Sequence, residues 1–223
     1  MISGKPEPYP RQLAVLLAAG WLALPGRPAA GAEQTVGEFL QGLARPAPDR
    51  IAFAEVRFSP LLETPLEVSG ELEYLGPERL SRHVTEPYEE VTLIEGDRVR
   101  IRREKERERS FSLERAPELR GLLASFVAML AGDAAALERY FEPTLTRRDA
   151  DDPRWTLLLE PRTAAIRAQL GTLRIHGAGT TPRCISMVAG EGKASIILLG
   201  PTAAARPEPS SPEALEQLCA DTL

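Results

Sequence analysis

The apolar and polar positions of this chain change period several times, and each change marks an element. From Thr35 to Ala44, Val36, Phe39, Leu40 and Leu43 recur at spacings of three and four, the pattern of a helix with one apolar face capped by Thr35. The stretch "ARPAPDR" ends it. In "LEVSGELEY" the period becomes two: Leu66, Val68, Gly70, Leu72 and Tyr74 alternate with Glu67, Ser69, Glu71 and Glu73. A helix cannot segregate that pattern, whereas a half-buried antiparallel strand can. Similar short runs begin at Ile51, Arg79, Glu90, Arg98 and Ser110, separated by turn signals at Gly76-Pro77, Glu86-Pro87 and Gly96-Asp97.

From Ala116 to Asp133 the period returns to that of a helix, with Leu119, Leu122, Leu123, Phe126, Val127 and Leu130 on one stripe. A second helix, "AAALERYF", is predicted after Gly132-Asp133. Strands resume at Trp155, Leu170, Cys184 and Ala194. Residues 201–212 read as a Pro/Ala-rich linker to a last helix, with Ser211 at its N-cap and Pro212 in its first turn. The order predicts a mainly β, α+β domain: one curved antiparallel sheet with helices packed on one face.

The N-terminus follows a different logic. Lys5 and Arg11 precede an apolar run from Leu13 to Leu24, then Pro25 and the triplet Ala30-Gly31-Ala32. This is the order of a secretory signal peptide cleaved after Ala32. The run is too short for the ~20 apolar residues that span a bilayer. The predicted division is a signal peptide at 1–32, a folded domain at 33–200, and a linker with C-terminal helix at 201–223.

The formal net charge of -5 disfavours partners that need a globally basic surface. The charged run from Arg102 to Arg109 in "VRIRREKERERSF" lacks interleaved aromatics, which argues against nucleic acid. Its flanks place Val99 and Ile101 in phase with Phe111 and Leu113, so it reads as a solvated hairpin tip. Arg103, Lys105 and Arg107 are candidates there for docking to an acidic partner surface.

Cys184 and Cys219 are the only cysteines, and in an exported domain they read most simply as one disulfide, with free thiols as the alternative. Their separation gives no redox or zinc spacing. Only two histidines occur, His83 and His176, neither with a metal-binding companion, and the Asp149, Asp151, Asp152 cluster lacks the layout of a calcium loop. No nucleophile elbow, P-loop or dinucleotide motif occurs. The sequence therefore points to no catalytic residue, no cofactor and no metal; it predicts a binding protein rather than an enzyme.

The candidates for an apolar cavity between helix and sheet are Leu72, Tyr74, Phe111, Leu113, Leu122, Phe126, Met129, Leu130, Trp155, Leu157 and Leu159, chosen by strand parity and helical stripe. A filled core is the alternative use of the same residues.

Gly70-Glu71-Leu72-Glu73-Tyr74, Gly76-Pro77-Glu78-Arg79-Leu80, Glu86-Pro87 and Gly96-Asp97, in this order, resemble the strand, turn and hairpin elements of the periplasmic LolA-like lipoprotein carriers. "ASFVAMLAGDAAALERYFE" and "DDPRWTLLLEP" are similar to the helical lid and following strand of a LolA-like subfamily. The resemblance implies an incomplete, strongly curved antiparallel β-barrel closed by a helical lid, with an apolar cavity for acyl chains. It further implies a monomeric periplasmic carrier that takes acylated lipoprotein or another lipid cargo from an inner-membrane transporter to an outer-membrane receptor. The proteobacterial carriers place an arginine before the Pro of the turn to fasten the lid; here Gly76 stands there, with Arg79 and Arg82 nearby. The readings beside this one are a carrier for aryl polyene or glycolipid export, or a non-catalytic envelope sensor on the same fold.

Overall fold

The computed structural model describes residues 34–115, 117–147, 149, 151–190, 192–205 and 211–221, less the side chains of 117–119, 122 and 205. The predicted signal peptide lies outside the described residues. Among the described residues, no helix is long and apolar enough to cross a membrane.

Eleven strands form one antiparallel sheet: β1 (Asp49–Phe58), β2 (Leu66–Gly76), β3 (Arg79–Glu86), β4 (Glu90–Glu95), β5 (Arg98–Arg103), β6 (Arg109–Ser112), β7 (Phe141–Arg147), β8 (Arg154–Pro161), β9 (Thr172–Ala178), β10 (Thr181–Val188) and β11 (Ala194–Leu199). Their order is β6-β5-β4-β3-β2-β1-β11-β10-β9-β8-β7. Two meanders are thus joined where β1 pairs with β11, and β6 and β7 form the two edges. The sheet is curved but not closed, an incomplete barrel.

Each face has its own helices. The inner face carries α1 (Val36–Leu43), α2 (Pro117–Ala131), α3 (Ala134–Glu138) and α4 (Ala164–Leu170), whose Phe39, Leu40, Met129, Leu137 and Ile166 share one core with inward strand residues. Thr35 caps α1 through a reciprocal pair with Glu38. On the outer face, α5 (Pro201–Ala205) and α6 (Pro212–Asp221) bring Ala203, Leu215 and Cys219 onto Val56, Ile196 and Leu198 of β1 and β11. The rest of that face, over β2 to β5, is charged, with Arg50 paired to Glu73 at 2.8 Å and Arg79 to Glu95 at 3.5 Å.

The structure departs from the periodicity in four places. The helix expected over "AAALERYF" stops at Glu138, and Phe141 opens β7. Pro143 cannot continue a helix, but it fits an edge strand, where it sits opposite Leu159. Helix α4 has one buried residue, Ile166, and so left no apolar stripe to read; Thr163 caps it and Gly171, at φ 63°, ends it. Helix α5 occupies the start of the stretch read as linker, because Ala203 has a core to join. The run from Ser110 is a four-residue strand followed by a 3-10 turn, Leu113–Arg115, so Leu113 is buried off the strand.

Cys184 of β10 and Cys219 of α6 are disulfide-bonded with Cα atoms 5.7 Å apart. The bond fastens α6 across the outer face. His176 lies beneath it, buried, with its Nδ1 3.1 Å from the Thr156 hydroxyl; burial lowers its pKa, against the Glu216 carboxylate and with the help of Arg174. Replacing both cysteines by serine should lower stability by about 3 kcal/mol, the worth of a crosslink closing a loop of this length. Calorimetry should then show a melting temperature roughly 10 °C below the parent.

Candidate functional site

Register assigns the inner face without ambiguity. One row runs Leu145, Leu157, Ile175, Ile185, Ile197, Glu55 and Val68 from β7 to β2. The next contains Arg147, Trp155 and Gly177 in one half, and Leu199, Phe53, Gly70, Val84, Glu90 and Arg103 in the other. The floor is therefore apolar from β7 to β11 and becomes mixed from β1 onward.

Trp155 anchors the apolar half. A Cβ on Gly177 would lie 2.2 Å from the indole, so only glycine leaves room for it. The indole N–H donates to the carbonyl of Gly179 at 3.0 Å, and Phe39 meets the ring edge-on with centroids 4.9 Å apart. Helix α1 is thereby seated on the sheet.

The sequence-derived candidates divide into several groups. Met129, Trp155, Leu157 and Leu159 are buried in the inner core, with Phe126 and Leu72 packed against it. Tyr74 on β2 and Leu113 just after β6 are buried outside that core. Leu130 is half-buried, and its carbonyl accepts the Arg45 N–H at 2.9 Å. The side chain of Leu122 lies outside the described residues. Phe111 has the inward parity, opposite Val99, but on edge strand β6 it is 39% exposed. Between α2 and the sheet, Ser125, Phe126, Met129, Leu159, Leu173 and Ile175 close on one another without room for a water molecule. In this conformation the seam between α2 and strands β8 and β9 is filled.

The docking candidates also differ among themselves. Arg103 donates to Glu90 at 2.7 Å and lies 4.9 Å from the centre of the Tyr88 ring. Lys105, at φ 65° in the turn, is 3.9 Å from its neighbour Glu104, and Arg107 is exposed.

A feature the periodicity did not single out lies on the mixed half. Glu55, only 4% exposed, accepts from Arg57 at 2.6 and 2.9 Å, from Arg82 at 2.8 Å and from Ser195 at 2.6 Å. Arg82 lies 4.7 Å from the Phe53 ring centre and 3.8 Å from Glu90, which Arg103 also holds. Three arginines and two carboxylates thus alternate across β1, β3, β4 and β5. Burial pushes the Glu55 carboxyl up, but the Arg57 hydrogen bonds and charge, the Ser195 hydroxyl and Arg82 together outweigh it and hold the pKa below the ordinary carboxylate range. The signal was present in "IAFAEVR": Glu55 and Arg57 are in phase with the apolar Ile51 and Phe53, on the parity that should point inward.

A second depression of about 220 Å³ lies chiefly on the outer face, between Ala54, Val56, Glu67, Ser69 and Leu198. Its lining reaches Glu55 and Val68 of the inner face but no residue of α2.

An open antiparallel half-barrel with helices across its inner face is a carrier-type fold. The family model for outer membrane lipoprotein carrier protein LolA-like matches residues 28–222, and the chain belongs to that family. Solved structures similar to it include a LolA superfamily protein from Nitrosomonas europaea, at 12% identity and TM-score 0.38, covering 74% of this chain and 90% of the other. LprF from Mycobacterium bovis matches at 13% identity and TM-score 0.35, over 76% and 93%. The MucA/MucB complex of Pseudomonas aeruginosa matches at 13% identity and TM-score 0.37, over 74% and 55%. The comparison with curated proteins finds no match.

Two outcomes follow from this geometry. Gly177→Ala should displace Trp155, costing about 2 to 3 kcal/mol in urea unfolding together with loss of near-ultraviolet dichroism from the indole. The lowered Glu55 pKa contributes stability that is present above its unfolded value and is lost as pH falls through that value to the folded one. Denaturant midpoints taken from pH 7 to pH 3 should fall accordingly, and the fall should be shallower in Glu55→Gln.

Proposed function

We propose that this protein is a periplasmic carrier that binds acyl chains between the inner face and α2, and that it shuttles lipoproteins from an inner-membrane transporter to an outer-membrane receptor. The observation that carries the reading is the composition of α2. Between Gly121 and Gly132 its only polar residue is Ser125, whose hydroxyl is turned back to the Gly121 carbonyl at 2.7 Å. A helix that permanently covers a core has a polar outer side. One that lifts and closes over a hydrocarbon chain has use for an apolar surface all round.

The fastenings of α2 suit such movement. Near its start Arg120 pairs with Asp97 at 2.6 Å, both substantially exposed, and near its end the Leu130 carbonyl takes the Arg45 N–H. Exposed ion pairs are worth about 0 to 1 kcal/mol. Each acyl CH₂ removed from water returns about 0.8 kcal/mol, and a whole acyl chain offsets the apolar contacts that Phe126 and Met129 give up on opening. No covalent step, cofactor or metal is required of the protein. The apolar segment at Leu13 to Leu24 and the Ala30-Gly31-Ala32 triplet support export with cleavage after Ala32, and the carrier would act as a monomer. In this reading the domain predicted at 33–200 carries the cargo, and α5 and α6 brace the outer face.

The filled seam beneath α2 favours a second reading, a non-catalytic interaction module that uses the same fold with a permanent core. Phe126→Glu separates the two. For a carrier, the parent should take up a fluorescent fatty acid and the variant at least tenfold less of it. For a permanent core, the variant should lose about 3 kcal/mol or more of stability, and the parent should take up no fatty acid. Lipid mass spectrometry on protein purified from its native envelope should find bound acyl cargo.

A further inference from the structure

The charged inner-face network has no place in an entirely hydrocarbon site. Removing Glu55 and its partners from water is costly, and an apolar set of similar volume would fill the floor at no such cost. Arg57, Arg82 and Arg103 face Glu55 and Glu90, and Arg103 also lies 3.9 Å from the exposed Glu106. The three arginines are not equally committed. Arg82 bridges both carboxylates and is held over Phe53, whereas Arg57 and Arg103 keep 42% and 43% of their side chains exposed.

The exposed pair has unused donors. Arg57 gives Nε and one Nη to Glu55, and Arg103 gives Nε to Glu90, so among the described residues each retains a terminal nitrogen with no hydrogen-bond acceptor. Arg103 lies 4.9 Å from the centre of the Tyr88 ring, and Tyr88 packs against the inner core. Arg57 joins the same inner-face network through Glu55, Arg82 and Glu90. Guanidinium N–H groups therefore adjoin the apolar floor, and a molecule seated beside Tyr88 would touch both.

We propose that Arg57 and Arg103, positioned by Glu55, Glu90 and Tyr88, form a site for the oxyanion headgroup of an amphiphile whose acyl chains lie on the adjoining apolar floor. This rests on the carrier reading and narrows its cargo to lipids that carry a phosphate or a carboxylate. Guanidinium matches such groups because its planar donors are pre-set for two oxygens and are weakly hydrated. The buried carboxylates serve to hold the arginines in place while quenching most of their charge, so that the headgroup is recognised but not held too tightly for release.

The test compares two fluorescent lipids with identical tails, phosphatidylglycerol and diacylglycerol, titrated into the intact protein, with inorganic phosphate alone titrated by calorimetry. The parent should bind phosphatidylglycerol at least tenfold more tightly than diacylglycerol. Arg103→Gln, whose side chain lies at the rim, should reduce that ratio toward one while leaving diacylglycerol binding unchanged and the domain folded, as read by its dichroism spectrum. Arg57→Gln should do the same; if it unfolds the domain, Arg103→Gln carries the test. Equal affinity for both lipids in the parent, or an unchanged ratio in Arg103→Gln, overturns the headgroup site and leaves the carrier reading standing. Binding of neither lipid overturns both. Inorganic phosphate binding as tightly as the lipid would assign the guanidiniums to a free anion and overturn the headgroup assignment.

Discussion

An eleven-stranded sheet that does not close has one apolar face too large to leave in water, and covering it is the constraint on which the rest of this structure depends. The cover needs a fixed point. The space over Gly177 admits the Trp155 indole, the indole receives Phe39, and α1 is set in place. From there α3 and α4 close the β7 to β9 side, and α2 completes the cover with Met129 and Phe126 against Leu159, Leu173 and Ile175. Gly121 allows α2 to come close, since a Cβ there would lie 3.0 Å from the Tyr140 ring and 3.3 Å from Ile166.

The two halves of the sheet solve different problems with the same backbone. From β7 to β11 the inner rows are hydrocarbon apart from Arg147 and Ser195, and dispersion and exclusion of water hold helices against them. From β1 to β5 the rows admit Glu55, Arg57, Arg82, Glu90 and Arg103, and stability there comes from pairing of the buried carboxylates instead. The disulfide serves neither half of the inner face; it secures α6 on the outer surface, above the junction of the two meanders. This division leaves the inner helices fastened by packing and exposed contacts, and reserves the covalent tie for an element with no part in the inner cover.

Much of this was legible in the chain because period and parity are local properties. The alternation in "LEVSGELEY" gave β2 and its inward residues, and the stripe at Val36, Phe39, Leu40 and Leu43 gave α1. Elements with few anchors were not legible: α4 rests on Ile166 alone, and β7 hid behind a helix-like run until Pro143 forced an extended backbone. Phe111 shows the limit of parity, which assigns a face but not the depth; on an edge strand the inward side is still open to water.

By itself the sequence determined the alternation of strands and helices, the family of the fold, and the absence of any motif for covalent chemistry, since each depends on residue type and short spacing. Only the tertiary structure decided that Glu55, 27 residues before Arg82 and 140 before Ser195, meets both, or that Gly177 makes room for Trp155. Such contacts arise when β1 joins the first meander to the second through β11. That pairing is long-range, fixed by the burial of a whole face at once, and so no local window along the chain encodes it.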